Sequence, residues 1–244
     1  MKKKKTTGWS ENETIAFFSK NRKFYEHLYE SEKFFLTKKF ISSIENVLDI
    51  GCSVGGFCRI FQYLNKNIKY TGIDTSEIAI QNAKKVYEKK NNANFVIYDG
   101  FSKLPFPNKE YDLVFSSGLF HLIDNFKDLA SEAICKSKKY VLIDFRVCRG
   151  KSYKGKFNFK FLDKKKVENF TNYHVLNLKD LLTFFKSFKR ISKINMYGYK
   201  ATPSSMSEGI DEVFMIFFKI ELSKRKNQVI DLVYENDELK NFFS

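Results

Sequence analysis

Three aspartates stand at equal intervals in the first half of the sequence, each at the end of a short apolar run. Asp49, Asp74 and Asp99 are 25 residues apart, and carboxylates in such positions accept hydrogen bonds from the hydroxyl or amino groups of a ligand. The first aspartate is followed by the glycine-rich segment GCSVGG at residues 51–56. Glycine lets the backbone turn sharply and approach a ligand closely. The pattern therefore indicates a ligand site built at successive strand ends.

The spacing of these acids indicates what the ligand carries. Asp74 lies about 20 residues beyond the glycines, where an acid accepts from ribose hydroxyls. Asp99 is placed to accept from an adenine amino group, with Phe101 or Ile80 against the ring face. Asp49 can accept from an ammonium group, directly or through water. No basic phosphate clamp accompanies them, so a cationic, adenosine-bearing ligand without phosphates is favoured. A nicotinamide dinucleotide would need a tighter glycine arrangement and would leave Asp99 without a role.

The elements that must position these residues alternate between apolar runs and helical patterns. Strands are predicted at residues 47–50, 69–74, 94–98, 111–116 and 140–147, with two later strands at 191–199 and 213–222. Strands alternating with helices favour an α/β fold with a parallel sheet, right-handed crossovers and both faces covered.

Other segments flank this core. Residues 10–44 are predicted to be helical, starting from the capping-box pattern of Ser10 and Glu13. Residues 149–166 are rich in lysine and predict an inserted hairpin or extended loop. An amphipathic helix is expected to begin near Asn177, and a short helix to occupy residues 227–244. Asp124 is expected to be the N-cap of the helix at 126–136.

Four segments together resemble the successive motifs of class I S-adenosylmethionine-dependent methyltransferases: VLDIGCSVGGF, GIDTS, YDG and YDLVFSSGLFHLI. The resemblance covers residues 46–147. It implies a Rossmann-like, seven-stranded, mostly parallel sheet with helices on both faces and an antiparallel last strand. With it, the chain divides into a helical cap or lid at 1–45, a methyltransferase domain at 46–226 with a basic insertion at 149–176, and a C-terminal helix or tail at 227–244. The usual glycine pattern is G-x-G-x-G, and Ser53 in its middle position is expected to fit if its φ is negative.

The resemblance also implies the cofactor, S-adenosyl-L-methionine, and the product S-adenosyl-L-homocysteine. In that family the glycine loop holds the methionine part of the cofactor, while the acids matching Asp74 and Asp99 bind ribose and adenine. The expected cofactor-binding residues are Asp49, Gly51, Ser53, Gly55, Asp74, Thr75, Asp99, Gly100, Phe101 and Ser116.

Candidate residues for the acceptor come from the fourth strand and from the additions to the core. His121 follows the fourth strand at the cofactor edge and is either a general base or only a part of the pocket wall. Tyr25, Tyr29 and Tyr153 are the candidate acceptor contacts within the two aromatic-rich or basic additions, residues 10–44 and 149–166. The fourth strand is not followed by an N-P-P-Y-like tetrapeptide, which argues against enzymes that methylate a flipped nucleic-acid base.

The expected function is transfer of a methyl group to an oxygen or nitrogen atom of a small, acidic or sugar-type metabolite. The alternatives are a transfer-RNA-type methyltransferase that uses the basic insertion, and a non-catalytic S-adenosylmethionine-binding module. The formal net charge of +15 suits RNA or an anionic metabolite, but codon bias in an A- and T-rich genome also produces it. The four cysteines form no C-x-x-C pair, so no metal is expected. Without an apolar run of roughly 18 residues, no membrane partner is expected either, and a cytoplasmic location is favoured.

Overall fold

Five parallel strands carry the glycine turn and the strand-end residues. The computed structural model describes residues 12–20, 23–88, 92–100, 103–158, 170–203, 205, 207–210, 213–223 and 229–243. The strands are β1 (Asn46–Ile50), β2 (Lys69–Asp74), β3 (Ala93–Ile97), β4 (Tyr111–Ser116) and β5 (Ser137–Cys148). Their order is β3-β2-β1-β4-β5, so the chain reverses its direction of travel across the sheet between β1 and β4. In open α/β sheets a ligand crevice lies at such a switch point.

The second half of the sheet contains the antiparallel strand. β10 (Val213–Leu222) lies antiparallel between β5 and β8 (Ile191–Ala201). The predicted mostly parallel sheet with an antiparallel last strand is therefore confirmed. The sheet has eleven strands among the described residues rather than the predicted seven. One additional strand, β11 (Asp231–Tyr234), pairs with the outer edge of β8.

The C-terminal prediction was only half right. Residues 227–244 were expected to be helical, but within the described part of this segment β11 precedes the helix α8 (Asp237–Phe243). A strand forms here because the outer edge of β8 has backbone N–H and C=O groups without partners in the sheet. Pairing with β11 provides hydrogen bonds for these groups. The α8 ring of Phe242 stacks on Phe214 of β10, with ring centroids 4.1 Å apart.

Helices α4 (Gly56–Leu64), α5 (Glu77–Ala83), α6 (Phe126–Lys136) and α7 (Leu178–Lys186) cover the sheet. As predicted, Asn177 caps α7, accepting from the backbone N of Asp180 at 3.0 Å. The prediction for α6 was wrong, since its N-cap is Asn125. Asp124 is exposed, and its carboxylate is turned toward Lys154 (3.3 Å) and Asn172 (2.9 Å) of the insertion.

The N-terminal segment is a series of short helices rather than one helix. It contains α1 (Asn12–Lys20), a 3₁₀ turn at Tyr25–His27, α2 (Glu30–Phe35) and α3 (Lys38–Ile41); Ser10 lies outside the described residues. Two internal caps break it: the Glu32 carboxylate accepts from the backbone N of Tyr29 at 2.8 Å, and the Thr37 hydroxyl accepts from the backbone N of Phe40 at 3.2 Å. None of the described helices is long and apolar enough to cross a bilayer.

The basic insertion forms a hairpin at one end of the sheet. Its strands are β6 (Tyr153–Asn158) and β7 (Phe170–Asn177), which pair antiparallel, and β9 (Ser207–Glu208) pairs with β6. The second strand of the hairpin lies beyond the predicted segment 149–166. The end of β7 pairs with the end of β5, so the hairpin stands beside the carboxyl ends of the core strands.

A substitution at Gly72 of β2 tests how tightly this strand packs against the glycine turn. A Cβ at this position would lie 2.8 Å from Cys52 Sγ and 2.9 Å from Phe95 Cδ1. We expect Gly72→Ala to lower the free energy of unfolding by about 1–3 kcal/mol, because overpacking displaces both neighbours. Gly150→Ala is the matched control, since a Cβ at Gly150 meets nothing within 4 Å. Urea denaturation measures both, and equal stabilities would contradict this packing.

Candidate active site

A cavity of about 730 Å³ opens at the carboxyl ends of the core strands. Its volume lies in the upper part of the range of roughly 300–1,000 Å³ that is usual for small-molecule sites. One part of the wall, the glycine half, contains Gly51, Ser53, Asp74, Thr75 and Gly100. The other part, the tyrosine half, contains Tyr29, His121, Arg146, Tyr173 and Tyr199.

The turn after β1 requires glycine at two positions. Gly51 and Gly55 both have φ of +78°, in the left-handed region that side chains rarely adopt. A Cβ at Gly51 would lie 3.0 Å from Leu119 Cδ2, and one at Gly55 would lie 3.0 Å from Phe95 Cε1. The turn is held against β2 by a hydrogen bond of 2.8 Å from Gly51 N to Ile73 O.

Ser53 occupies the middle glycine position of the motif with a left-handed backbone. Its φ is +48°, so the condition of a negative φ, under which serine was expected to fit, is not met. The conformation persists because Ser53 N donates to Asp74 Oδ2 at 2.9 Å, which ties the turn to the end of β2. A serine in this region stores strain, as residues at functional sites often do.

Asp74 is the acid of the glycine half. Its Oδ1 accepts from Ser76 N at 2.9 Å, beside the bond from Ser53. Burial raises the pKa of Asp74, and the backbone donors of Ser76, Ser53 and Thr75 counter part of that rise. A carboxylate has about four acceptor positions, so Asp74 retains capacity for ligand hydroxyls. Among the described lining residues, no cation lies in the glycine half, which fits an adenosine-bearing ligand that lacks phosphates.

Four other predicted cofactor residues are absent from the described cavity wall. Asp49 is buried and accepts a hydrogen bond from the Tyr70 hydroxyl, and the Ser116 hydroxyl donates to Ile50 O at 2.7 Å. Both hydrogen bonds join strands of the sheet, and both residues are absent from the described cavity wall. Asp99 is exposed. Gly55 and Asp99 are also absent from that wall, and Phe101 lies outside the described residues.

His121 lies in the cavity wall, as its position after β4 predicted. It is 6% exposed, and its Nδ1 is enclosed without a hydrogen-bond partner among the described residues. The ring packs edge-on against Tyr173, with centroids 4.9 Å apart. Burial, followed by the charges of Arg146 and His174, holds the pKa of His121 well below its ordinary 6.5. The imidazole is therefore neutral at pH 7 and able to accept a proton.

Arg146 was missed by the sequence analysis. Its guanidinium lies 2.5 Å from Asp144 Oδ2, and Asp144 Oδ1 accepts from Gly118 N at 2.7 Å. Burial lowers the pKa of Arg146, but Asp144 and a hydrogen bond to Tyr173 more than offset it, so the pKa is raised and the group stays charged. The sequence does contain a signal for Arg146: two charged residues, Asp144 and Arg146, interrupt the otherwise apolar run of β5.

Sheet register brings the strand-end residues of this half together. Arg146 of β5 is opposite Met215 of β10, and Met215 is opposite Tyr199 of β8. All three line the cavity. Tyr199 and Tyr173 were not predicted, because the sequence does not state which later strand pairs with β5.

The N-terminal cap contributes Tyr29, one of the three predicted acceptor tyrosines. The cap is fixed by Glu32, which is fully buried and accepts from Tyr29 N and from the hydroxyl of Ser117. Ser117 itself lines the cavity. The other two tyrosines do not: Tyr25 lies in a separate groove beside Tyr63, and Tyr153 is exposed on the hairpin.

The chain is similar to methyltransferases in sequence over its first half. Residues 47–139 match a family model described as a methyltransferase domain. The chain is 32% identical over 112 residues to a sterol 24-C-methyltransferase of Pneumocystis carinii, covering 45% of this chain and 29% of that protein. It is 35% identical over 119 residues to malonyl-[acyl-carrier protein] O-methyltransferase 2 of Ilyobacter polytropus, covering 46% and 44%. The match thus spans less than half the length of either relative.

Two solved structures share the fold. The PH0226 protein from Pyrococcus horikoshii OT3 has a TM-score of 0.51 at 15% identity, with 89% of this chain and 94% of that chain covered. The N-terminal domain of EvdMO1 with S-adenosylhomocysteine bound has a TM-score of 0.56 at 12% identity, with 79% of both chains covered.

The strained backbone of Ser53 yields a prediction about stability. We expect Ser53→Val to lower the free energy of unfolding by about 1–3 kcal/mol, because a β-branched residue resists positive φ. Ser53→Gly should change it by less than about 1 kcal/mol, since relief of strain offsets the greater chain entropy of glycine. Urea denaturation of the two variants is the measurement. If both variants lose the same free energy of unfolding, the positive φ of Ser53 does not limit which residues this position accepts.

Proposed function

We propose that this chain, which carries a class I S-adenosylmethionine-dependent methyltransferase domain, methylates an oxygen or nitrogen atom of a small, acidic metabolite. The observation that carries the proposal is the cavity itself. It joins the glycine turn and Asp74 to a second half that holds a neutral histidine, a buried arginine and three tyrosines. A site of this kind suits a cofactor and an acceptor side by side.

S-adenosyl-L-methionine is the cofactor of this domain, and the glycine half fits it. Gly51 and Ser53 would hold its methionine part, Asp74 its ribose hydroxyls, and Thr75 and Gly100 would lie along the adenosine. When bound, the cofactor supplies an activated methyl group on a sulfonium and becomes S-adenosyl-L-homocysteine. The protein's own contribution is to align the acceptor and exclude water.

We assign His121 the role of general base. Because Nδ1 is enclosed by protein, Nε2 is the nitrogen that can reach an acceptor in the cavity. Nε2 would take the proton of an acceptor hydroxyl as the methyl group is transferred. The lowered pKa keeps this nitrogen free of a proton at pH 7, and a positioned base of this kind contributes about 10²–10⁴ in rate.

The additions to the core are proposed to enclose the acceptor. Residues 1–45 act as a lid, supported by Thr14, Phe17 and Tyr29 in the cavity wall, and the insertion 149–176 supplies Phe157 and Tyr173. The four cysteines are free thiols, which supports a reducing, cytoplasmic location.

A small acceptor is favoured over RNA. The sterol and malonyl-[acyl-carrier protein] methyltransferases that the chain resembles are not named for nucleic-acid substrates. Two lysines of the insertion already make protein contacts: Lys154 with Asp124 at 3.3 Å, and Lys156 over the Phe170 ring at 4.8 Å. Binding to transfer RNA that weakens steeply with salt, by a slope of about −0.7 per contacted phosphate, would favour the RNA alternative instead.

Cofactor binding depends on Asp74 more than on Asp99. We expect Asp74→Ala to weaken binding of S-adenosylhomocysteine by about 1–3 kcal/mol, because hydrogen bonds to a charged group are lost. Asp99→Ala is the matched control, since its carboxylate is exposed and absent from the described cavity wall. Isothermal titration calorimetry measures both dissociation constants. Failure of the wild-type protein to bind the cofactor product would refute the cofactor assignment.

The pH dependence of methyl transfer reports on His121. Since its folded-state pKa lies well below 6.5, kcat/KM should stay constant as pH falls through 6.5 and decline only at lower pH. His121→Gln should reduce kcat about 10²–10⁴-fold and remove that acid limb, with binding of S-adenosylhomocysteine unchanged. The control is His27→Gln, which replaces an exposed histidine of the cap. Full activity of His121→Gln would exclude a base role.

A further inference from the structure

Resting on the proposed function, we propose that the acceptor is a hydroxylated organic acid: its carboxylate binds Arg146, and its hydroxyl faces His121. The inference thus narrows the acceptor to a compound with an anionic group, a hydroxyl group and an apolar body.

The charge distribution of the wall is the first argument. Of the described residues that line the cavity, Asp74 is the only carboxylic acid and Arg146 is the only lysine or arginine. Asp74 lies in the glycine half, so the tyrosine half presents one permanent cation. Asp144, the partner of Arg146, is not part of that wall. A buried cation in the cavity wall favours an anion there.

The position of Arg146 in the sheet separates it from the cofactor turn. β5 is two strands from β1 and three from β2, and neighbouring strands are about 4.8 Å apart. Arg146 is thus roughly 10 Å across the sheet from the glycine turn. Its neighbours in the cross-strand row are Met215 and Tyr199, which belong to the later strands.

The state of the guanidinium indicates which anion it prefers. Arginine has five N–H donors in a planar fork, and Asp144 and Tyr173 take part of them. Because Asp144 already neutralises much of the charge, a single carboxylate suits the site better than a phosphate dianion.

Tyr173 links the anion site to the proposed base. Its hydroxyl is hydrogen-bonded to Arg146, and its ring packs on His121 at 4.9 Å. One small molecule can therefore reach both groups. The adjacent wall of Leu122, Phe157, Val213 and Met215 is apolar, so the body between the two polar groups is a hydrocarbon rather than a sugar.

Matched acids and amides test the proposal. Protein saturated with S-adenosylhomocysteine is titrated calorimetrically at pH 7.5 with 3- and 4-hydroxybenzoate, 3-hydroxyoctanoate, and the corresponding amide of each. We expect at least one acid to bind ten-fold or more tightly than its amide. The same acid, incubated with S-adenosylmethionine, should gain one methyl group on its hydroxyl, as detected by mass spectrometry.

The variant for this test removes both charges of the buried pair, since removing one leaves the other uncompensated. Arg146→Gln combined with Asp144→Asn should reduce the preference for the acid to less than two-fold. Its affinity for S-adenosylhomocysteine should stay within three-fold of wild type, which also shows that the variant folds. The control is Lys154→Gln, which removes an exposed cation outside the described cavity wall and should leave the preference unchanged.

The outcomes separate this inference from the proposed function. If no acid binds better than its amide, including when neither binds, the acid-acceptor inference is overturned while the cofactor assignment stands. The inference is also overturned if the double variant retains the preference, or if it loses S-adenosylhomocysteine, because Arg146 would then serve the cofactor. Absence of S-adenosylhomocysteine binding by the wild-type protein would instead refute the proposed function.

Discussion

The loop that follows β4 is held between two buried carboxylates, and both halves of the cavity depend on this arrangement. Glu32 of the cap accepts from the Ser117 hydroxyl, and Asp144 of β5 accepts from Gly118 N. A buried carboxylate is costly unless its acceptor positions are filled. Glu32 gains a second donor from Tyr29 N, and Asp144 gains the guanidinium of Arg146. The satisfaction of these two charges fixes the cap, the loop and β5 relative to one another.

The same bonds explain why the additions to the core become part of the site. Helix α2 is tied to β8 by the hydrogen bond between Glu30 and Tyr197, and to the loop after β4 by Glu32. The hairpin is tied to β5 by strand pairing and by the bond of Tyr173 to Arg146. Each addition therefore enters the cavity wall through a polar contact with the core, and its aromatic side chains line the cavity.

The glycine half was predictable from the sequence, because its geometry is local. Gly51 and Asp74 follow consecutive strands, and parallel strands bring their ends to one edge of a sheet. Ser53 was an exception, since its positive φ is imposed by a bond to Asp74 from another strand. Most of the tyrosine half could not be predicted from the sequence, because its residues come together only when β10 lies between β5 and β8.

Hydrophobic periodicity predicted the bounds of the core strands within a few residues. It did not predict the structure of the N-terminal cap or of the C-terminal segment. The cap was predicted as one helix, yet side-chain caps at Glu32 and Thr37 divide it. The C-terminal segment was predicted to be a helix, yet its first part pairs with the outer edge of β8 as the strand β11. In the cap, local capping bonds outweighed helix continuation, and at the C-terminus a tertiary strand pairing outweighed a weak local preference.

Arg146 and His121 are coupled, and the coupling bears on how the site would work. The cation contributes to holding the pKa of His121 low, second only to burial. An acceptor carboxylate at Arg146 brings a negative charge close to both groups and offsets that contribution. The pKa of His121 then rises toward its ordinary value, and a base with a pKa nearer to the working pH accepts a proton more effectively. The same carboxylate that positions the acceptor would thereby strengthen the base that deprotonates its hydroxyl, so that the site is most basic when an acceptor is in place.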